Sequence, residues 1–114
     1  MWLFTNIGFF SVVRKPRETR LTVRARVASD LDALRAQYLP ELGPTVEGAG
    51  TDYRFRARVD AADLARATAA MIEGISYSNF KSEVRRAQGP EREATYHRVW
   101  DEMLGVGRGG KGLR

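Results

Sequence analysis

The chain has no cysteine and only one histidine among its 114 residues. The absence of cysteine excludes disulfides, thiolate metal sites and cysteine nucleophiles, and it suits a reducing compartment. One histidine, His97, excludes most transition-metal sites, because these sites need several convergent ligands. We therefore expect no metal, no cofactor and a cytoplasmic location.

Several catalytic signatures are also missing. The chain has no Gly-x-Ser-x-Gly elbow, no phosphate-binding Walker loop and no Gly-x-Gly-x-x-Gly motif after a strand. Its most apolar stretch, residues 1–13, is too short to span a bilayer and is interrupted by Asn6-Ile7-Gly8. These absences favour a protein that is not an enzyme and does not enter a membrane.

The remaining composition is that of an ordinary globular protein. The apolar content of 43% suits one core and one domain at this length. We predict a single α+β domain over residues 1–104. Residues 105–114 are rich in glycine and basic side chains and lack periodicity, so we expect them to form a disordered tail.

A repeated segment organises the chain. Arg24-Ala25-Arg26-Val27 returns 32 residues later as Arg56-Ala57-Arg58-Val59. Each copy ends a strand-like run and precedes a helix-like run with a capping signal. This pattern predicts two ββα units that form a four-stranded, mainly antiparallel sheet with helices 29–39 and 60–75 on one face. A ferredoxin-like strand order is the alternative.

The two ends of the domain complete the expected fold. The apolar segments around Asn6-Ile7-Gly8 indicate either a hairpin or one strand with a bulge. Ser78 and Gly89-Pro90 mark the starts of two helices within residues 78–104. We expect this C-terminal helical pair to cover the apolar part of the outer sheet face.

Five arginines of the two strands that carry the repeat are predicted to project from one face of the sheet. They are Arg24, Arg26, Arg54, Arg56 and Arg58. Like charges this close repel each other, and guanidinium groups bind phosphate in a bidentate manner, so an acidic partner would stabilise them. Alternatively, their heads lie in water and pair with acidic neighbours such as Glu18, Glu47 or Asp52.

RNA-reading sheets carry aromatic side chains on the exposed face, where bases stack. In this chain the alternation predicts that Tyr53 and Phe55 point the other way, into the core. This orientation argues against sequence-specific RNA recognition.

A second candidate site follows the repeat. Tyr77, Asn79 and Lys81 lie near the predicted start of a helix, where backbone N–H groups can hold an anion. The other interpretation is a helix cap beside a packed aromatic residue. Glu93 and Asp101 lie four residues on either side of His97, a spacing that ordinary helix-surface pairing explains.

Four blocks of the chain resemble a group of short bacterial proteins without an established activity. The blocks are M-W-L-F-T at 1–5, G-F-F-S-V-V at 8–13, Y-S-N-F-K at 77–81 and Y-H-x-V-W at 96–100. The resemblance covers residues 1–104 and implies a complete small protein, with no activity, cofactor or partner to transfer.

The leading functional hypothesis is a non-catalytic binding or regulatory module. Its arginine face would dock an acidic partner, either a protein or a nucleic acid. One alternative is a structural protein that self-associates as a homodimer through its aromatic N-terminal strand. Another is a small enzyme with a site near Tyr77, Asn79, Lys81 and His97.

Overall fold

The computed structural model describes residues 1–48 and 51–108. The chain divides into two compact units, and the boundary along the sequence lies between Ser76 and Tyr77. The first unit contains β1 (Trp2–Phe4), β2 (Phe9–Val13), β3 (Leu21–Ala25), α1 (Ala28–Gln37), β4 (Val46–Glu47), β5 (Phe55–Val59) and α2 (Ala61–Glu73). The second contains α3 (Phe80–Gln88) and α4 (Pro90–Gly107). The predicted α+β class is confirmed. The sheet has five strands rather than four, because the N-terminal segment forms the hairpin β1-β2.

The sheet has the order β1-β2-β3-β5-β4, and neighbouring strands are antiparallel. The ββα units correspond to β2-β3-α1 and β4-β5-α2. Because β5 lies between β3 and β4 and is antiparallel to both, β3 and β4 run parallel and α1 joins them as in a split β-α-β unit. The segment β3-α1-β4-β5-α2 therefore has the strand order of the ferredoxin-like alternative. The other neighbour of β3 differs from that alternative, because it is the preceding strand β2 and not a strand that follows α2.

The repeat explains the centre of the sheet. Arg24 and Arg56 occupy equivalent positions in the two copies, and they lie directly opposite each other in the β3-β5 pair. On either side, Val23 opposes Ala57 and Ala25 opposes Phe55. The two strands are therefore related by a local two-fold axis that passes between the two arginines.

The core lies between one face of the sheet and helices α1 and α2. Alternate strand positions supply apolar side chains, as period-two geometry requires. The buried cluster includes Phe10, Val12, Val23, Ala25, Ala57 and Val59 from the strands, with Leu31, Leu34, Leu64 and Ala67 from the helices. The alternating residues Ser11, Arg24 and Arg56 consequently belong to the opposite, outer face.

The β1-β2 turn packs closely against α1. Asp30 is only 4% exposed, and its Oδ2 atom accepts a hydrogen bond from the Phe9 backbone N–H at 3.0 Å. A Cβ atom on Gly8 would lie 2.7 Å from Asp30 Cγ, which is too close for two carbon atoms. Glycine at position 8 therefore permits this approach.

We expect Gly8→Ala to lower the free energy of unfolding by about 1–3 kcal/mol, the usual cost of overpacking a buried contact. Urea denaturation followed by circular dichroism measures this change. Gly105→Ala is the control, because no atom lies within 4 Å of a Cβ built on Gly105. Since Gly105 lies inside α4, we expect this control to be more stable than the parent by about 0.5–1 kcal/mol. If Gly8→Ala is as stable as the parent, the close packing at Gly8 has no energetic consequence.

The second unit is a helical pair, as predicted, but its boundaries differ. Asn79 rather than Ser78 caps α3, since Asn79 Oδ1 accepts a hydrogen bond from Ser82 N at 2.9 Å. Pro90 occupies the first turn of α4, as expected.

The predicted end of the last helix at residue 104 is wrong. Helix α4 continues through Gly105 to Gly107, and Arg108 N donates to Leu104 O at 3.1 Å. A glycine inside a helix costs only about 0.5–1 kcal/mol relative to alanine, which is too little to force termination. The rest of the predicted tail, residues 109–114, lies outside the described residues.

Within the described chain, every helix is too short or too polar to cross a membrane.

Candidate anion-binding site

Two arginines lie side by side at the centre of the outer sheet face. Arg24 Nη2 donates to Ser11 Oγ at 2.7 Å, and Arg56 Nη2 donates to the Tyr53 carbonyl oxygen at 3.1 Å. The Nε atoms of both arginines are buried and have no hydrogen-bond acceptor within the part of the chain that the structure describes. Buried donors usually have acceptors, so these two Nε atoms are exceptions within the described residues.

The Tyr53 ring holds a third arginine next to these two. The Arg24 and Arg26 Cζ atoms lie 4.6 Å and 4.7 Å from the centre of the ring, within the range of cation–π attraction. Arg26 Nη1 also donates to the Asp52 carbonyl oxygen at 3.2 Å. We call Arg24, Arg26 and Arg56 the arginine cluster.

The expectation that Tyr53 faces the core with Phe55 is wrong. Tyr53 is only 6% exposed, but two arginine side chains cover it, and its ring centre lies 6.3 Å from that of Phe9. Residues 51–53 form a bend, and β5 begins only at Phe55. The strand alternation therefore does not extend back to position 53.

The other two arginines of the predicted stripe are paired with carboxylates. Arg54 Nε donates to Glu47 Oε2 at 2.7 Å, and Arg58 Nη1 lies 3.1 Å from Glu18 Oε1. Both acidic partners are among those that the sequence suggested. Arg54 also lies over the Phe55 ring, with its Cζ atom 5.7 Å from the ring centre. Its aromatic contact is therefore Phe55 and not Tyr53.

Unlike Arg54 and Arg58, the arginine cluster has no carboxylate partners among the described residues. Among residues 1–48 and 51–108, no carboxylate lies within ion-pair distance of Arg24, Arg26 or Arg56. Asp52 contributes its backbone carbonyl to Arg26 rather than its carboxylate. The stripe is thus divided into two neutralised arginines and three with uncompensated charge.

Three further aromatic side chains lie on the same face and were missed by the sequence analysis. Phe4 opposes Phe9 in the β1-β2 pair, and their rings stack with centres 4.5 Å apart. Trp2 meets Phe9 edge-on at 6.1 Å. We call these three residues the aromatic strip. The sequence does contain a signal for this arrangement. Phe9, Ser11 and Val13 alternate with Phe10 and Val12, and this alternation places Phe9 on the face opposite the core.

A groove adjoins the arginine cluster at Arg56. The groove has a volume of about 350 Å³. Its lining includes Thr22 of β3 and four cationic residues, Lys15, Arg20, Arg56 and Arg58. Gly43, Pro44 and Val46 form the remaining wall with Ala57. Arg56 belongs to both the cluster and the groove, so the positive surface continues from one into the other.

The second predicted site is only partly assembled in the helical pair. Lys81 Nζ lies 3.1 Å from His97 Nδ1 and 4.2 Å from the centre of the Trp100 ring. Because an ammonium group only donates hydrogen bonds, this contact requires Nδ1 as the acceptor. The Lys81 ammonium is therefore bound within the helical pair.

The other members of that site have structural contacts. Asn79 caps α3, and the Tyr77 ring packs at 6.2 Å from that of Phe80. Glu93 pairs with Arg85 at 3.1 Å. No group of three or more potential metal ligands occurs within the described ranges.

No protein-family model, curated protein or solved structure matches the chain. The geometry of the outer sheet face therefore carries the functional argument.

Proposed function

We propose that the protein is a non-catalytic binding module that docks an acidic partner on the arginine cluster. The observation that carries this proposal is the direct opposition of Arg24 and Arg56 without a carboxylate within ion-pair distance in the described chain. Like charges directly opposite each other destabilise a sheet by roughly 0.2–1 kcal/mol. Negative charge supplied by a partner removes this cost on binding.

The cluster suits recognition of an anionic group. Guanidinium groups bind carboxylates and phosphates through paired N–H donors, and such charge-assisted bonds are about twice as strong as neutral ones. Tyr53 orients two of the three guanidiniums, and Ser11 orients Arg24 further. This preorganisation reduces the side-chain entropy that binding would otherwise cost.

The cluster does not have the arrangement of a catalytic site. It contains three guanidiniums around a phenol ring, and arginine stays protonated at neutral pH, so it cannot act as a general base. Covalent catalysis needs a nucleophile next to such a base. Binding is therefore the function that this chemistry supports best.

The direct test is the salt dependence of polyanion binding. We expect the protein to bind fluorescein-labelled heparin, with an affinity that falls steeply as the salt concentration rises. Arg24→Gln/Arg56→Gln removes two positive charges but keeps part of each side-chain stem. We expect this variant to bind at least tenfold to a hundredfold more weakly, since the loss of even one charge-assisted hydrogen bond costs roughly 1.5–3 kcal/mol.

Arg85→Gln/Arg86→Gln is the matched control. It removes the same charge from α3, where Arg85 and Arg86 are already paired with Glu93 and Glu83. Fluorescence anisotropy measures both affinities. If the two variants weaken binding equally, only net charge matters and the cluster is not a site.

A further inference from the structure

We propose that the acidic partner is a single-stranded nucleic acid, whose bases stack on the aromatic strip while its phosphates bind the arginine cluster. This inference rests on the proposed function and specifies its partner. It depends on the position of the strip and the cluster in one sheet, both within the first unit.

The strand register places an aromatic ring and two cations in one line across the sheet. Trp2 opposes Ser11, Ser11 opposes Arg24, and Arg24 opposes Arg56. Adjacent strands are about 4.8 Å apart, so Trp2 lies roughly 10 Å from Arg24 and 14 Å from Arg56 along this row. A chain laid across the strands meets the ring first and the two guanidiniums next.

The rings of the strip form a continuous surface. Trp2 is 66% exposed and packs edge-on against Phe9, which in turn stacks on Phe4. A single exposed apolar side chain is common, but a set of touching rings beside uncompensated arginines is not explained by chance exposure. Exposed rings stack with bases of any sequence, because every base has a flat face.

The combination of rings and cations favours a single strand over other polyanions. Heparin and acidic proteins supply negative charge, but they have no planar bases to occupy the strip. A duplex buries its base faces in its own stack, whereas a single strand offers them. Beyond Arg56, the groove adds Lys15 and Arg20, so the positive surface extends further than the cluster alone.

The chain provides its own reporter for this interaction. It contains two tryptophans, Trp2 and Trp100. Trp100 stacks on His97 with ring centres 5.3 Å apart in the helical pair. Trp100→Phe keeps an aromatic ring there and leaves Trp2 as the single source of tryptophan fluorescence.

The Trp100→Phe protein is titrated in parallel with short oligo(dT), oligo(U), a DNA duplex of equal length, heparin and poly-glutamate. We expect the single strands to quench Trp2 fluorescence and to bind more tightly than the duplex. Heparin is expected to bind through the arginines without quenching. In the chain with both tryptophans, Trp2→Leu is expected to weaken oligonucleotide binding by about tenfold, in line with the loss of one stacked base, and to leave heparin binding unchanged.

The outcomes separate this inference from the proposed function. Equal binding of heparin and oligonucleotides without quenching, or equal binding of duplex and single strand, overturns base stacking but leaves the polyanion site. Binding of poly-glutamate without oligonucleotides identifies an acidic protein instead. Failure of all ligands to bind overturns both proposals.

Trp2 also lies on the edge strand β1, where a second copy of the chain could pair. Light scattering during the titration distinguishes the two occupants of this edge. A monomer that binds oligonucleotide supports the inference. A dimer that persists when oligonucleotide is added, and in which Trp2 is not quenched, overturns it. Circular dichroism of Trp2→Leu verifies that the variant is folded, and the quenching test does not depend on that variant.

Discussion

Arg24→Glu is expected to weaken polyanion binding more than a hundredfold and, at low salt, to give a more stable protein than Arg24→Gln. The cross-strand neighbour of position 24 is Arg56, so a glutamate there faces a guanidinium instead of repelling one. Opposite-charge pairs across antiparallel strands contribute roughly 0.2–1 kcal/mol. Arg24→Gln is the correct reference, because both substitutions lose the Tyr53 and Ser11 contacts equally.

The measurement is a double-mutant cycle. The free energies of unfolding of Arg24→Glu and Arg24→Gln are compared in the presence of Arg56 and again in the Arg56→Gln background. We expect the advantage of glutamate to disappear in that background and to shrink in molar salt, where charges are screened within about 3 Å. An advantage that persists without Arg56 would show that the two side chains do not interact.

We expect Arg24→Glu to change the free energy of polyanion binding more than it changes the free energy of unfolding. Reversal of one central charge leaves a carboxylate where the partner's anion would lie, so affinity is expected to fall by more than a hundredfold, since like-charge juxtaposition costs several kcal/mol. Arg54→Glu is the comparison on the same sheet, because Glu47 already neutralises Arg54. Equal losses for the two variants would contradict the division of the stripe into paired and unpaired arginines.

The arrangement of the sheet could be predicted because it is encoded in a repeat. Two strand runs with period-two alternation, each followed by a helical segment, leave few ways to bury both apolar faces on one side. The antiparallel class, the two ββα units and the shared face of Arg24 and Arg56 follow from that pattern. The separate pairing of β1 did not follow, because the N-terminal segment suits either a hairpin or a bulged strand.

The composition of the site could be predicted only in part, because its key contacts depend on a bend. Tyr53 appears in phase with Phe55, Ala57 and Val59, but the chain enters β5 only after Tyr53. Local backbone geometry of this kind is not visible in a period-two pattern. Likewise, the sequence shows that Glu18 and Glu47 are available to the stripe, but only the structure shows that they reach Arg58 and Arg54.

Tyr53→Leu is expected to weaken polyanion binding by about tenfold to a hundredfold although it removes no charge. The Tyr53 ring lies under both Arg24 and Arg26, and the residue is 6% exposed. Without the ring, two guanidiniums lose their fixed positions, and ordering each such side chain on binding costs about 0.5–1.5 kcal/mol. The two lost cation–π contacts also lower the free energy of unfolding by about 1–2 kcal/mol.

Tyr53→Phe is the matched variant, because it keeps the ring face and removes only the hydroxyl group. We expect it to retain both affinity and stability, as measured by heparin anisotropy and urea denaturation. Since the charge is the same in all three proteins, the comparison isolates the positioning of the arginines from their charge. Full binding by Tyr53→Leu would mean that net positive charge is sufficient and that the ring does not organise the cluster. Equal loss in Tyr53→Phe would assign the effect to the hydroxyl group rather than to the ring face.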